Sequence, residues 1–165
     1  SAEAYTGTGW TPLPPMPHAA FFATACVLNG RLHVMGGIGS NKLQVLEMTE
    51  ENGLSWSCKA DLPASRYRAT CVVHEGKIWV MGGCVGIDEE WSSSVIIYDA
   101  DNDSWDTAPP LPEALHYCTS TTIGGRIVVV GESADGNALA FRYENETWSE
   151  LPAASGAACG FVLLG

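Results

Sequence analysis

The chain has 165 residues, 46% of them hydrophobic, and carries 8 basic against 19 acidic side chains for a net charge of −11. So few Lys and Arg argue against nucleic acid as a partner, because phosphate binding relies on clustered cations. No apolar run approaches the roughly 20 residues that a helix needs to cross a bilayer. A cytoplasmic setting is expected from the cysteine usage, with secretion left open.

Residues 1–9 read as a leader or linker. Trp10 with TPLPPMP, residues 10–17, reads as a lone strand followed by a proline-bounded connection. Three similar stretches follow, at about 18–63, 64–112 and 113–152. The first runs ATACVLNGRLHVMGGIG, then LQVLEM, then Trp56 before ADLP. The second runs RATCVVHEGKIWVMGGCVG, then SSVIIYDADNDSW, then APPLP. The third runs HYCTSTTIGGRIVVVGE, then ALAFRYENETW, then SELP, and 153–165 with AACGFVLLG resembles the first strand of another copy. Gly30, Gly76 and Gly125 lie 46 and 49 residues apart, while Trp10, Trp56, Trp105 and Trp148 lie 46, 49 and 43 apart. A period near roughly 50 residues with four strand-like segments per copy is what a propeller blade requires. A lone four-stranded sheet cannot bury both faces, so neighbouring copies must cover it.

The second strand of each copy, Leu32–Met35, Ile78–Met81 and Ile127–Val130, is mostly apolar without strict alternation, as expected of a strand covered on both sides. Asn29-Gly30, Glu75-Gly76 and Gly124-Gly125 read as hairpin turns, because a type I′ turn needs positive φ at both central residues. Gly36-Gly37 and Gly82-Gly83 are expected to let the backbone approach the next sheet without a Cβ clash. The third copy has Gly131-Glu132, so its turn must differ. Each repeating tryptophan is large enough to fill the gap between twisted sheets, with its indole N–H bonded to a carbonyl there. Tyr98 and Tyr143 are expected in the same packing, with Leu46 in that place in the first copy.

Cys26, Cys71 and Cys159 recur in first-strand contexts, with Cys118 close to the same place, and read as compact core thiols. No CxxC pair or zinc-like spacing occurs, whereas Cys58 and Cys84 lie outside the shared positions and can be exposed. Reduced thiols suit the cytosol, although Asn102-Asp-Ser and Asn145-Glu-Thr match glycosylation acceptors. Asp99-Ala-Asp101-Asn-Asp103 invites a calcium reading, but Ser104 and Pro110 occupy the places where a calcium loop needs glycine and a carboxylate. A turn capped by its own aspartates is the expectation. His33 is expected inside a strand and His74 at a hairpin shoulder, while His18 and His116 each precede a first strand.

The Gly-Gly doublets, the Tyr-to-Trp spacing and the hairpins LNGRLHVMGG and HEGKIWVMGG resemble the Kelch β-propeller family over almost everything from Trp10 to Gly165. The resemblance implies an all-β, Kelch-type β-propeller with three complete four-stranded blades and a lone strand at each end. Such propellers usually close with more blades, so the chain reads as part of a larger one. The remaining blades would come from the same protein or another copy.

Kelch domains bind through loops leading into the innermost strand and loops following the glycine doublet. By resemblance the first set places His18, Arg66, Tyr67, Arg68, His116 and Tyr117 around the central opening. The second set comprises Asn41, Asp88, Glu89, Glu90, Trp91 and Ser133. Ser65-Arg66-Tyr67-Arg68 is similar to the paired arginines with which some Kelch adaptors hold acidic peptides, a chemistry that suits planar paired donors. A structural use for one of the two arginines is the competing reading. The implied function is a non-catalytic interaction module for a protein or acidic peptide, such as substrate recognition for a ubiquitin-ligase adaptor, with no cofactor, nucleic acid or membrane. The alternative is an enzyme or enzyme modifier on the same fold, sialic-acid-mutarotase-like or galactose-oxidase-like. The latter needs a Tyr–Cys pair that Tyr117-Cys118 adjacency alone does not supply.

Overall fold

A computed structural model describes residues 2–49, 53–86 and 90–152, in which no residue is helical and every strand pairing is antiparallel. No helix long and apolar enough to cross a membrane occurs among them. Strands β1 (Glu3–Tyr5) and β2 (Trp10–Pro12) form a hairpin. The first blade is the meander β3 (Thr24–Leu28), β4 (Arg31–Met35), β5 (Leu43–Thr49) and β6 (Gly53–Cys58). Next come β7 (Arg66–Tyr67), β8 (Thr70–His74), β9 (Lys77–Met81), β10 (Cys84–Val85), β11 (Glu90–Trp91), β12 (Val95–Asp99) and β13 (Ser104–Ala108). Of these, β8-β9-β12-β13 is the second blade, and β7, β10 and β11 form a separate small sheet. The third blade is β14 (His116–Ile123), β15 (Arg126–Glu132), β16 (Ala138–Glu144) and β17 (Thr147–Glu150). The innermost strands β3, β8 and β14 pack successively against one another, so the blades follow one another about a common axis.

The turns follow the local chemistry. Positive φ occurs at both central residues of Asn29-Gly30, Glu75-Gly76 and Gly124-Gly125, and at Asn145-Glu146 between β16 and β17, as type I′ geometry requires. At the far end of β9, a Cβ on Gly82 would lie 2.7 Å from the Leu115 carbonyl oxygen of the next blade, so this position admits only glycine. The third copy does differ. With Glu132 after Gly131, β15 continues where the other blades turn, and Glu132 pairs with both His116 and Ala138.

Two cores lie between the blades. Leu28, Met35, Leu43, Val45 and Leu62 of the first meet Ile78, Val80, Ile96 and Tyr98 of the second. Trp79, Met81, Val95 and Leu111 meet Leu115, Ile127, Val129 and Phe141 of the third. The repeating tryptophans clamp the outer rim: Trp56, Trp105 and Trp148 donate their indole N–H to the carbonyls of Pro14, Ala60 and Pro109 at 2.8, 2.9 and 2.8 Å. Tyr98 and Tyr143 lie 5.0 Å from Trp105 and Trp148 as expected, and Leu46 pairs with Trp56 in the first blade.

Near the axis the innermost strands are stitched by small polar groups. The Thr24 hydroxyl lies 3.2 Å from the Cys71 sulfur, and the Thr70 and Ser120 hydroxyls are 2.8 Å apart. A hydrogen bond between the Cys26 and Cys71 thiols raises the pKa of Cys26 and lowers that of Cys71. Cys26, Cys58, Cys71, Cys84 and Cys118 are all free thiols. Cys58 is exposed, whereas Cys84, grouped with it in the sequence, is buried inside β10. Asp99 caps its own turn, accepting the Asp101 and Asn102 amide hydrogens, as the turn reading expected.

The chain's beginning corrects the sequence reading. Residues 1–9 are not a mere linker, and the strand at Trp10 is not alone, because β1 pairs with it at Tyr5↔Trp10. The rings lie 5.5 Å apart and repeat the Tyr–Trp pairing of the later blades. The partial copy at 153–165, with Cys159, lies outside the described residues.

Candidate functional site

Each blade enters its innermost strand through a residue with left-handed backbone. Phe22, Arg68 and Tyr117 have φ of 57°, 55° and 48°, and each stands eight positions before its hairpin glycine. Such angles are costly for residues with a Cβ and persist only where surroundings enforce them. Here the enforcement is a chain of backbone bonds around the axis. The Arg68 amide donates to the Phe22 carbonyl at 3.1 Å, and the Cys118 amide donates to the Arg68 carbonyl at 3.5 Å.

The three equivalent side chains meet. The Arg68 guanidinium carbon lies 4.5 Å from the Tyr117 ring centre, 5.0 Å from that of Phe22 and 5.4 Å from that of Tyr67. Its Nε is buried without a hydrogen-bond partner. The aromatic surface extends on both sides, since Phe21 lies 4.4 Å from Phe22, His116 lies 4.6 Å from Tyr117, and Trp91 stacks on His116 at 3.6 Å. Phe21, Phe22, Tyr117 and Trp91 are exposed, as is Ile38, whose amide bonds to the Phe21 carbonyl. One face therefore carries a run of exposed rings around a single guanidinium.

The two expected loop sets join in the second blade. Tyr67 pairs with Cys84 and Cys84 with Trp91, while Arg66 pairs with Val85 and Val85 with Glu90. The residues themselves divide. Arg68, Tyr117, Glu90 and Trp91 reach the surface, Tyr67 supports Arg68 from below, and His116 lies buried beneath Trp91 with Nδ1 3.0 Å from the Glu132 carbonyl. Asp88 and Glu89 lie outside the described residues.

Four expected contacts have other work. Arg66 is only 5% exposed, and its guanidinium donates to the carbonyls of Gly82 and Ser94 at 2.6 and 3.2 Å and to the Ser94 hydroxyl at 2.5 Å. Burial pushes its pKa down to about 10, which leaves it charged at neutral pH. It braces its own blade and cannot present its fork to a ligand. Asn41 exchanges bonds with Leu62, its side-chain amide donating to the Leu62 carbonyl and its own carbonyl accepting the Leu62 amide. Ser133 is buried and closes a turn with Gly136 and Asn137. His18 is held at the first blade's flank, where the Gln44 side chain bonds both its amide and its carbonyl at 2.8 and 3.0 Å.

Tyr117 and Cys118 point apart: the ring covers Arg68, while the sulfur sits against Gly82 and Gly131, its thiol pushed up to about 12 by burial. Phe21, Phe22 and Ile38 were missed by sequence reasoning. The shared distance to the hairpin glycine would have found Phe22 as the counterpart of Arg68 and Tyr117.

Blades of four antiparallel strands stacked about an axis, with a loop-built face at their inner ends, define a β-propeller. Residues 65–112, the second blade with the loop that leads into it, match the model of the Kelch motif, so a Kelch motif occupies the middle blade of this propeller fold. Among 157 solved chains that resemble it is YjhT, with a TM-score of 0.71 and 17% sequence identity over 85% of this chain and 54% of that one. This chain thus spans about half the length of YjhT, and at that identity the likeness concerns the fold. No curated protein matches it.

Proposed function

We propose that the chain is a non-catalytic protein-interaction module that receives a carboxylate-bearing segment of a partner at the face built by Phe22, Arg68, Tyr117 and Trp91. The observation that carries this reading is the state of Arg68. Its guanidinium is held against three rings with Nε buried behind them, while its terminal Nη groups, which are not buried, have no hydrogen-bond partner among the described residues. A cation oriented by aromatic faces, with its hydrogen-bonding edge unused, suits a planar anion. The exposed rings around it supply apolar contact at low entropic cost, which is why such residues dominate binding hot spots.

The two neighbouring arginines play different roles, so they must be tested separately. Immobilised acidic dodecapeptides, each with a Gln-for-Glu counterpart, provide the probe. The acidic members should bind preferentially, and Arg68→Ala should weaken them about tenfold or more, in keeping with roughly 1.5–3 kcal/mol for a charge-assisted hydrogen bond. Arg68→Lys should recover part of the loss, because a point charge cannot reproduce the fork. Equal binding of acidic and Gln peptides, or unchanged binding by a folded Arg68→Ala variant, would remove the proposed contact.

A further inference from the structure

The opposite face, formed by the hairpin turns, holds a second site. Between the second and third blades lies a cleft of about 780 Å³ lined by His74, Trp79 and Tyr143. Their rings are mutually inclined: Trp79 and Tyr143 are 4.9 Å apart at 52°, His74 and Trp79 5.5 Å at 78°, and His74 and Tyr143 6.4 Å at 89°. Apolar side chains of Ile97, Ala108 and Pro109 continue the lining.

The rim is anionic. Glu75, Glu144 and Glu146 stand at the cleft against a single basic side chain there, Arg126, which Glu144 already binds at 2.6 Å. Glu75 is 3.9 Å from His74 Nε2 and meets no Lys or Arg among the described residues, and neither does Glu146. The two carboxylates come from turns of neighbouring blades, each held at positive φ, so the fold itself delivers them to one cleft. Their convergence is felt by the Tyr143 hydroxyl, whose pKa burial raises first and the charges of Glu146 and Glu75 raise further.

We infer that this cleft receives the guanidinium of an arginine presented by a partner segment, with the rings facing the cation and Glu75 and Glu146 accepting its N–H groups. Aromatic faces attract a cation electrostatically, and arginine stacks on them better than lysine because its group is planar and weakly hydrated. The volume exceeds what a bare ion needs and accommodates an extended side chain whose methylenes lie along Pro109 and Ala108. The inference does not depend on the Arg68 face, because the two sites lie on opposite faces of the blades and share no residue.

The test titrates the whole chain with acetyl-Gly-Arg-Gly-amide, with the citrulline peptide and tetramethylammonium as comparisons, and follows the indole N–H NMR signal of Trp79. The arginine peptide should shift that signal saturably, and citrulline, which keeps the shape without the charge, should not. Glu75→Gln with Glu146→Gln should weaken binding tenfold or more, while Arg68→Ala should leave it unchanged. Should the double variant fail to fold, Glu146→Gln alone with the citrulline comparison decides the matter. Equal binding of citrulline, or full affinity in the folded glutamine variant, would overturn the inference. So would tetramethylammonium binding as tightly as the peptide, since that outcome describes a site for small organic cations.

Discussion

Arg66 and Arg68 are two positions apart and have opposite fates, because β7 carries Arg66 and Tyr67 into the interior before the left-handed kink at Arg68 brings that side chain to the face. Removing Arg66 strips donors from two carbonyls and a hydroxyl at a buried position. An unsatisfied buried acceptor costs about 1–3 kcal/mol, and the truncated side chain also leaves a void. Against this stands relief from burying an unpaired charge, a real offset that a small, unfilled site recovers only in part. Arg66→Ala is expected to destabilise by about 3 kcal/mol and Arg68→Ala by less than about 1 kcal/mol, the worth of a half-exposed cation–π contact. Urea midpoints of the two variants measure this directly, and equal midpoints would refute the division of labour. If the proposed function holds, loss of acidic-peptide binding is expected of Arg68→Ala and not of a folded Arg66→Ala variant.

At the scale of the blade, Ala60 shows how neighbouring sheets are locked. Its amide donates to Asp103 Oδ1 at 2.8 Å and its carbonyl accepts the Trp105 indole, so one residue leaving the first blade is held twice by the second. Asp103 also accepts the Tyr98 hydroxyl at 2.7 Å, and these bonds lower its pKa. Asp99, bonded first of all to Lys77, titrates at about 2 against an ordinary 3.8. Both are acids with depressed folded values, so the contribution of each is present above about pH 3.8 and is lost as pH falls through its folded value, which for Asp99 is about 2. Over that window the wild-type urea midpoint should fall more steeply than that of Asp99→Asn with Asp103→Asn. Parallel falls would exclude these turns from the acid transition.

The blade was legible in the sequence because hairpin glycines, glycine doublets and tryptophans each answer to a local constraint that recurs with the period. Tyr5 was not read, although its five-residue spacing to Trp10 equals that of Tyr143 to Trp148. Its strand has only three residues and no apolar run. The face was legible only in outline. Which residues of a loop point outward depends on the kink at Phe22, Arg68 and Tyr117, and nothing in Arg66 as a residue type distinguishes a brace from a ligand contact.

For the molecule as a whole, the consequence of stacking shows on the first blade's other side. In β3, Cys26 and Leu28 face the second blade, so Val27 faces away and is 61% exposed. In β5, Leu43 and Val45 face the second blade, and Met48 on the opposite side is 72% exposed. The clasp of Gln44 on His18 and the Trp56 bond to Pro14 cover part of this flank with residues 13–20, and the β1–β2 hairpin adds Tyr5 and Trp10, both exposed. A sheet face that presents several large apolar side chains to water is stabilised by any surface that covers it, whether further blades or another copy. The net charge of −11 opposes self-association at long range, but only over roughly 8–10 Å at physiological salt. Light scattering of the 165-residue chain should therefore show association that grows as added salt screens this repulsion. Val27→Thr with Met48→Gln should reduce it while leaving the unfolding free energy from urea titration within about 1 kcal/mol of wild type, since both side chains are already in water. A monodisperse monomer at every salt concentration, or association indifferent to the two substitutions, would show that this flank is not the surface that the chain needs to cover.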